Sequence, residues 1–190
     1  SESVHEEGES SAVKTELQTQ IDRALFAGID VTHVDAHMFT LLHSKFVPIY
    51  VRLASHFRLP SLFFRAKKWV CREFEVDSKT LAVAARLAKH LEGQGKPLFD
   101  NLFMMPLTHA ENRLELAMRA FDNLPKGLTH FIIHPAQDTP ELRAMAPDWQ
   151  CRVADYQTFH SRVLRDHIDE CGIHIIGYRA LRDHLRGTPD

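Results

Sequence analysis

Three side chains that can bind a metal or move a proton stand at alternate positions in residues 32–37. On a β-strand, alternate residues point to the same face, so His33, Asp35 and His37 would share one side. On a helix, the same spacing would scatter them around the axis. The stretch is rich in β-branched residues, and Gly28 marks a turn before it, which favours a strand.

Imidazole and carboxylate groups are ligands of zinc, manganese, nickel and magnesium, although magnesium prefers oxygen ligands. Catalytic metal sites take about three protein ligands and leave positions open for water and substrate. His37 would end the strand, where its side chain can reach an open site. The same spacing also fits a second interpretation, in which the histidines are buried and hydrogen-bonded within the core of a sheet.

Two further polar residues end apolar runs. His134 follows the run 131–133 and precedes Pro135, which stops a strand. Histidine suits a general acid or base because its ordinary pKa lies near neutral pH. The alternative is a strand-end residue that is hydrogen-bonded to a neighbouring loop. Arg65 follows the run 62–64, where it could bind a substrate oxygen or form a surface salt bridge.

Helices and short apolar strands alternate along the chain. Hydrophobic periodicity predicts strands over residues 31–37, 61–65, 101–107, 128–134 and 173–176. It predicts helices over residues 10–27, 45–57, 78–92, 110–124, 148–171 and 178–185. This order is typical of right-handed β-α-β units around a parallel sheet, with ligand sites at the carboxyl ends of the strands. We therefore predict an α/β fold, a (β/α)-barrel-like parallel sheet with outer helices, as an incomplete barrel.

The composition is that of an ordinary globular protein, and the length of 190 residues suits one domain. Residues 1–11 are predicted to be a flexible acidic segment. Residues 12–190 are predicted to be the C-terminal part of a single (β/α)-barrel domain. The chain opens on a loop and a helix rather than a strand, so we expect it to lack an N-terminal piece of that barrel.

Charge and cysteine content restrict the partners and the compartment. The formal charge of -2 gives no reason to expect nucleic acid, and the basic residues Lys67, Lys68 and Arg72 are interpreted as a solvated loop. No apolar run approaches the roughly 20 residues needed to span a bilayer. The three cysteines are widely spaced, unlike a disulfide framework or a thiolate zinc site, which favours a reducing cytoplasm.

Several segments together resemble the YdjC-like carbohydrate deacetylases, which include chito-oligosaccharide deacetylases. The resemblance begins with residues 17–22 and residues 28–37. It continues through the helix with Pro48, Leu59-Pro60 with Arg65, Phe131-Ile132-Ile133-His134-Pro135-Ala136, Gly172-Ile173 and Gly177-Tyr178-Arg179. The match covers most of residues 12–185. Its most specific parts are the T-H-x-D-x-H block and the pairing of that block with H-P-A.

The resemblance implies a (β/α)-barrel-like enzyme that uses a divalent metal, magnesium or zinc. Its reaction would remove the acetyl group from an N-acetylated amino-sugar oligosaccharide. In that family the second histidine of the block binds the metal, which here is His37, and the H-P-A histidine is the proton donor, which here is His134. Asp35, as a supporting carboxylate, and Arg65 are then the candidate substrate-binding residues.

The family also opens with a strand that ends in an Asp-Asp-Phe-Gly-like motif, followed by a Gly-x-His metal ligand, and neither occurs in this sequence. That part would supply the base and further ligands, so we expect the 190-residue chain alone not to turn over substrate. One alternative is a non-catalytic binding or assembly protein, whose apolar strand edges would drive formation of a homo-oligomer. Another is a different metal hydrolase on the same barrel.

Overall fold

The computed structural model of the chain describes residues 2–65 and 77–187. The basic residues Lys67, Lys68 and Arg72, assigned above to a solvated loop, lie outside the described residues. The chain divides into two compact units, which are described separately. Unit 1 consists of Ser1–Asp100 and Ile176–Asp190, and unit 2 consists of Asn101–Ile175.

The fold is mixed α/β, with many helices and a small parallel sheet. In chain order, the described elements are α1 (Glu2–Glu7), α2 (Ser10–Phe26), a 3-10 segment (His37–Leu42), α3 (Val47–His56), α4 (Ser78–Gly93), β1 (Asn101–Met104), α5 (Arg113–Asp122), β2 (Thr129–Ile132), α6 (Pro140–Met145), α7 (Trp149–Phe159), α8 (Arg162–Glu170) and α9 (Tyr178–Arg186).

Most of the predicted helices are confirmed, and their ends have local causes. Pro48 lies in the first turn of α3, where its missing N–H costs no hydrogen bond. Asp77 caps α4, because its side chain accepts hydrogen bonds from the backbone N–H groups of Lys79 and Thr80 at 2.9 and 3.0 Å. Gly28, with φ of 74°, follows the end of α2.

In unit 1, the predicted strands 31–37 and 61–65 are reduced to isolated parallel bridges. Val34 pairs with Ser61, and Phe64 pairs with Phe99. The strand predicted over residues 31–37 is wrong beyond its single bridge, since the chain turns immediately afterwards. Met38 and Phe39 both have positive φ, 58° and 55°, a left-handed conformation that cannot continue a strand.

The core of unit 1 surrounds the hydroxyl group of Tyr50, a residue of α3 that is only 2% exposed. The Tyr50 hydroxyl donates to the carbonyl oxygen of Val34 at 2.7 Å and accepts from the N–H of Leu62 at 2.9 Å. It therefore joins the two extended segments beside their backbone bridge. The apolar residues packed around it are Ala36, Val47, Val51, Phe63, Ala88, Leu91 and Leu98.

Unit 2 contains the parallel sheet. Strands β1 and β2 pair from Asn101 with Thr129 to Met104 with Ile132. This pairing confirms the first four residues of the predicted strand 101–107 and the middle of the predicted strand 128–134. The strand predicted over residues 173–176 is not formed, and that stretch has no regular structure. A core of Met105, Ala117, Phe121, Leu164 and Ile168 packs beside the sheet. Among the described residues the sheet has two strands, so the barrel-like arrangement and the single domain stay predictions.

The single helix predicted over residues 148–171 is wrong, because two helices occupy this stretch. The break falls at His160 and Ser161, where Ser161 takes an extended conformation (φ -77°, ψ 143°) and caps α8 by accepting from the N–H of Leu164. The buried face of α7 carries Cys151, Asp155 and Thr158, at helical spacings of four and three, while Tyr156 is 38% exposed.

A buried ion pair organises unit 2. Arg113 is 2% exposed and Asp155 is fully buried, and the Arg113 Nε atom donates to Asp155 Oδ1 at 2.6 Å. The second carboxylate oxygen accepts from the backbone N–H of His134 at 3.0 Å. Arg113 also donates to the carbonyl oxygens of Pro106 and Thr108, at 2.5 and 3.2 Å. The pair thus connects α5, α7, the segment after β1 and the segment after β2.

At the amino terminus, the segment predicted to be flexible contains α1. Lys45 Nζ donates to the carbonyl oxygens of His5 and Glu6 at 3.1 and 3.2 Å. His5 also stacks on His43, with ring centroids 4.3 Å apart. These contacts give α1 defined partners within unit 1, and the flexibility of residues 1–11 stays a prediction.

Replacement of Tyr50 by Phe should lower the free energy of unfolding by about 0.5–1.5 kcal/mol. The N–H of Leu62 and the carbonyl of Val34 would lose the hydroxyl but would keep their own hydrogen bond of 3.1 Å. Chemical denaturation would measure the change. Tyr156→Phe removes the same atom from an exposed tyrosine of α7 and is the control. Equal stability of Tyr50→Phe and wild type would show that the hydroxyl bridge contributes nothing to folding.

Asp155→Asn should lower the free energy of unfolding by about 3–5 kcal/mol, since the buried guanidinium of Arg113 loses its counter-charge. Asp138→Asn is the matched control. It breaks an exposed ion pair with Arg143 and should leave the denaturation midpoint nearly unchanged. Similar midpoints for the two variants would contradict the central role of the Arg113–Asp155 pair.

Candidate functional site

The predicted row of His33, Asp35 and His37 lies in unit 1, in the segment that leads into the 3-10 turns. His33 is half-buried, whereas Asp35 and His37 are exposed. The metal-binding atoms of the three side chains do not all come within 4.8 Å of one another. The expectation that they form one three-ligand face is therefore wrong, because the chain lacks the regular strand that would align them.

His33 is held by packing. Its ring stacks on Tyr178 of α9, with centroids 3.8 Å apart and planes 9° from parallel, and its Nδ1 atom lies 2.9 Å from the hydroxyl of Thr32. Burial lowers the pKa of His33, and the nearby carboxylate of Asp35 partly offsets that effect. The environment favours a neutral imidazole with one nitrogen engaged, which agrees with the interpretation of His33 as a packed histidine.

Asp35 lies beside two tyrosines that sequence reasoning did not select. Burial raises the pKa of both Tyr50 and Tyr178, and the negative charge of Asp35 raises both further. The phenol groups therefore stay protonated at neutral pH. Asp35 and His33 line a cleft of about 210 Å³ whose other walls are mostly apolar, with Leu17, Ile21, Val31, Val34, Leu41 and Leu53. No sequence signal separates a tyrosine such as Tyr50 from an ordinary core aromatic residue.

The start of this segment is clamped to α9. Both carboxylate oxygens of Asp30 pair with arginines, one with Arg179 and one with Arg182. Arg182 is itself largely buried and also donates to the carbonyl oxygen of Val31 at 3.2 Å. Together with the His33–Tyr178 stack, these bonds fix the backbone just before Asp35 and His37.

Among the candidate residues, His37 has the least constrained side chain. It is exposed, and its side chain makes no hydrogen bond or ion pair with any residue that the structure describes. Both ring nitrogens are therefore available to a ligand. An imidazole nitrogen of this kind can occupy one coordination position of a divalent metal ion.

Arg65 is engaged in ion pairs at the surface of unit 1. Its guanidinium pairs with Glu92 and, at 3.0 Å, with Asp100. The Arg65 side chain is 39% exposed. This arrangement favours the salt-bridge alternative for Arg65, and its contact with substrate stays a prediction.

His134 follows β2 in unit 2 and is half-buried. Its backbone N–H is held by Asp155, as described above, while its Nδ1 atom is buried without a hydrogen-bond partner among the described residues. Asp148 interacts electrostatically with the His134 ring. The hydrogen bond from Arg152 lowers the pKa of Asp148, and His134 lowers it by a smaller amount. The backbone of His134 is therefore fixed while its ring has a nitrogen to spare.

Unit 2 also has a larger cleft, of about 560 Å³, near the break between α7 and α8. Its floor is apolar, and its polar lining comes from His160, Ser161, Arg162 and Arg165. None of the predicted site residues lines it, although Ile133, which does, precedes His134. This lining suits a ligand with an apolar face and an anionic edge.

Within the described ranges, one group brings three metal-binding atoms within 4.8 Å of one another: Asp122, His167 and Cys171. Sequence reasoning missed this group because its members come from two helices far apart in the chain. The only local signal is the spacing of four between His167 and Cys171, which places both on one helix face. Separately, no helix in the described part of the chain is long and apolar enough to cross a membrane.

Comparisons with known proteins agree with one another. A carbohydrate deacetylase of Thermus thermophilus is 30% identical over 97% of this chain, and a carbohydrate deacetylase of Thermoanaerobacter pseudethanolicus is 24% identical over 68% of it. A solved protein of Enterococcus faecalis V583, provisionally described as a cellobiose-phosphate cleavage protein, has a similar fold. It matches with a TM-score of 0.69 at 18% identity over 93% of this chain.

The chain spans less than two thirds of these relatives: 65% of the Thermus protein, 44% of the Thermoanaerobacter protein and 63% of the solved Enterococcus chain. The family model described as YdjC-like protein matches residues 2–170, which is most of the chain. On that match, and on the relationship with the Thermus deacetylase, this chain belongs to the YdjC-like family.

Proposed function

We propose that this chain is the C-terminal part of a metal-dependent carbohydrate N-deacetylase that removes acetyl groups from N-acetylated amino-sugar oligosaccharides. Membership of the YdjC-like family and the relatives named carbohydrate deacetylase support the reaction class. The proposal includes a cytoplasmic location and no nucleic-acid partner, in keeping with the cysteine pattern and the formal charge of -2.

The single observation that supports the proposed chemistry is the environment of the His134 side chain and backbone. A buried ring nitrogen without a partner is costly, and such atoms in folded proteins commonly serve a ligand or a reaction. The backbone of the same residue is held by the fully buried Asp155, so the ring is positioned without consuming its nitrogens. This combination suits a proton donor.

In the proposed reaction, the oxygen of a water molecule bonds to the acetyl carbon and the C–N bond of the acetamide breaks. Acetate and a free amine result, and the departing nitrogen needs a proton. His134, protonated on a ring nitrogen, donates that proton to the leaving amine. Histidine is a common general acid in enzymes, which agrees with this role. Asp35 and Arg65 are proposed to contact sugar hydroxyl or carbonyl oxygens, through a carboxylate acceptor and guanidinium donors respectively.

The metal is proposed to be magnesium or zinc, and His37 is its proposed ligand in this chain. The exposed imidazole fits one coordination position, but His33 and Asp35 do not converge with it into a three-ligand set. When bound, a divalent metal supplies polarisation of the amide carbonyl and a more acidic water. The exposed ring of His37 presents a nitrogen to solvent, where a metal ion can reach it. The ion pairs of Asp30 with α9 hold the backbone that precedes it.

The incomplete ligand set also favours a second candidate, a non-catalytic or assembly protein that keeps the fold. Exposed apolar side chains such as Ile175 and Ile176 could then pair with another copy of the chain. Deacetylation of an acetylated sugar separates the two candidates, because only the first requires chemistry at His134.

Metal binding tests the proposed role of His37. Calorimetric titration of the 190-residue chain with magnesium, which is not favoured by the sulfur and nitrogen donors of the group of Asp122, His167 and Cys171, should show saturable binding that weakens by at least about tenfold in His37→Ala. His56→Ala, a neighbouring exposed histidine of unit 1, is the control and should bind as wild type does. Identical isotherms for wild type and His37→Ala would exclude His37 as a ligand.

Acetate release from di-N-acetylchitobiose tests the proposed reaction and the role of His134. In the natural gene product that carries this sequence, His134→Ala should reduce kcat by about 10²–10⁴-fold, the usual contribution of a general acid. His174→Ala, another exposed histidine of unit 2, should retain activity. Absence of acetate release by the wild-type protein with either metal would favour the non-catalytic candidate.

A further inference from the structure

We propose that Asp122, His167 and Cys171 form a binding site for a zinc-type divalent ion in unit 2. The site goes beyond the proposed deacetylase function, since none of its three residues is among the proposed catalytic, metal or substrate residues. It takes its ligands from α5 and from α8 together with the residue that follows α8.

The spacing of the three donor atoms supports the proposal. His167 Nε2 lies 3.0 Å from Asp122 Oδ1, and Cys171 Sγ lies 3.6 Å from Asp122 Oδ1 and 3.7 Å from His167 Nε2. With zinc bond lengths of about 2.0–2.3 Å, two ligand atoms of a tetrahedral site lie about 3.3–3.6 Å apart. The three observed distances therefore require shifts of only a few tenths of an ångström to accommodate the ion.

Local structure explains why the donors meet. His167 and Cys171 are four residues apart, one turn along the same face of the helix. Gly172 follows with φ of 68°, and the N–H of Ile173 bonds back to the carbonyl oxygen of Ile168, which fixes the end of α8. Ile168 also packs in the apolar core of unit 2 beneath the group.

Electrostatics at this place favours a cation. Asp122 is the last residue of α5, and Cys171 directly follows the last residue of α8, so two helix C-termini meet at the group. Helix C-termini carry partial negative charge, and a carboxylate there is unfavourable unless a positive charge compensates it. A divalent ion bound by the three donors would compensate both termini and the carboxylate.

The donor set indicates which metal would bind. A thiolate and an imidazole favour zinc, cobalt or copper over magnesium, which prefers oxygen ligands. Three protein ligands leave one tetrahedral position for water or another ligand. Asp122 and Cys171 are exposed, so an ion could enter from solvent.

A purely structural explanation would treat the group as an ion pair between His167 and Asp122 with a weak hydrogen bond from the thiol. Cys171→Ser distinguishes the two explanations. The serine hydroxyl can still donate to Asp122, so a hydrogen-bonding role is preserved, whereas the sulfur ligand is lost.

The test is titration of the purified 190-residue chain with Co²⁺, followed by its absorption spectrum. The proposal predicts saturable thiolate-to-cobalt charge-transfer absorption, displaced by Zn²⁺, with at least about tenfold weaker binding or complete loss in Cys171→Ser and His167→Ala. Asp169→Asn and His174→Ala, which change other exposed residues nearby, should bind cobalt as wild type does. His37→Ala should also leave this band unchanged, which separates the site from the proposed catalytic metal.

Thermal unfolding provides a second readout. Zn²⁺ should raise the Tm of the wild type and the controls but not that of Cys171→Ser, because an ion that binds only the folded chain stabilises it. Similar Tm values of the metal-free proteins would confirm that the variant folds. A cobalt thiolate band of equal strength in Cys171→Ser, or no such band in the wild type, would overturn the proposal.

Discussion

The buried pair of Arg113 and Asp155 is the constraint on which unit 2 depends. A guanidinium and a carboxylate removed from water are tolerated only when each is paired and hydrogen-bonded. Here the two charges pair with each other and bind backbone groups from the segments after β1 and β2, while Arg113 Nη2 is buried without a hydrogen-bond partner among the described residues. The buried carboxylate of Asp155 therefore holds the backbone at the end of β2, and this contact sets the position of His134. The same charge that costs free energy to bury orients the residue proposed to move a proton.

In unit 1, a neutral group rather than an ion pair joins separate segments of the chain within the core. The Tyr50 hydroxyl links the Val34 and Ser61 segments within an apolar core, and burial and the charge of Asp35 keep it protonated. Burying the neutral hydroxyl of Tyr50 costs less desolvation free energy than burying an ion pair, but the hydroxyl connects fewer segments of the chain than the Arg113–Asp155 pair does. This difference agrees with the local structure, since the extended segments of unit 1 form only isolated bridges and leave His37 on turns instead of on a strand.

The sequence predicted the parts of the fold that depend on hydrophobic periodicity. Helices such as α4 follow from that periodicity, and so do the parts of the predicted strands that form β1 and β2. The break at Ser161 was missed because apolar residues continue on both sides of it, and the buried face of α7 was missed because Asp155 occupies it. A buried charge contradicts the hydrophobic pattern, and its partner Arg113 lies 42 residues away. At the candidate site, His37 and His134 were selected from the sequence by residue type and spacing, and their roles stay predictions. The tyrosines around Asp35 were not selected, since their environment arises from long-range packing.

The two proposed metal positions differ in the chemistry that their surroundings supply. His37 is exposed, and the described residues of unit 1 include no cysteine, so its affinity for a metal depends on further ligands such as carboxylate or water. The group of Asp122, His167 and Cys171 instead offers a soft sulfur beside two helix C-termini. Differences in ligand softness let two sites in one chain select different ions from the same solution. Zinc held at the second site would therefore not require zinc at the first, and the identity of the catalytic metal has to be decided by the ligands that join His37.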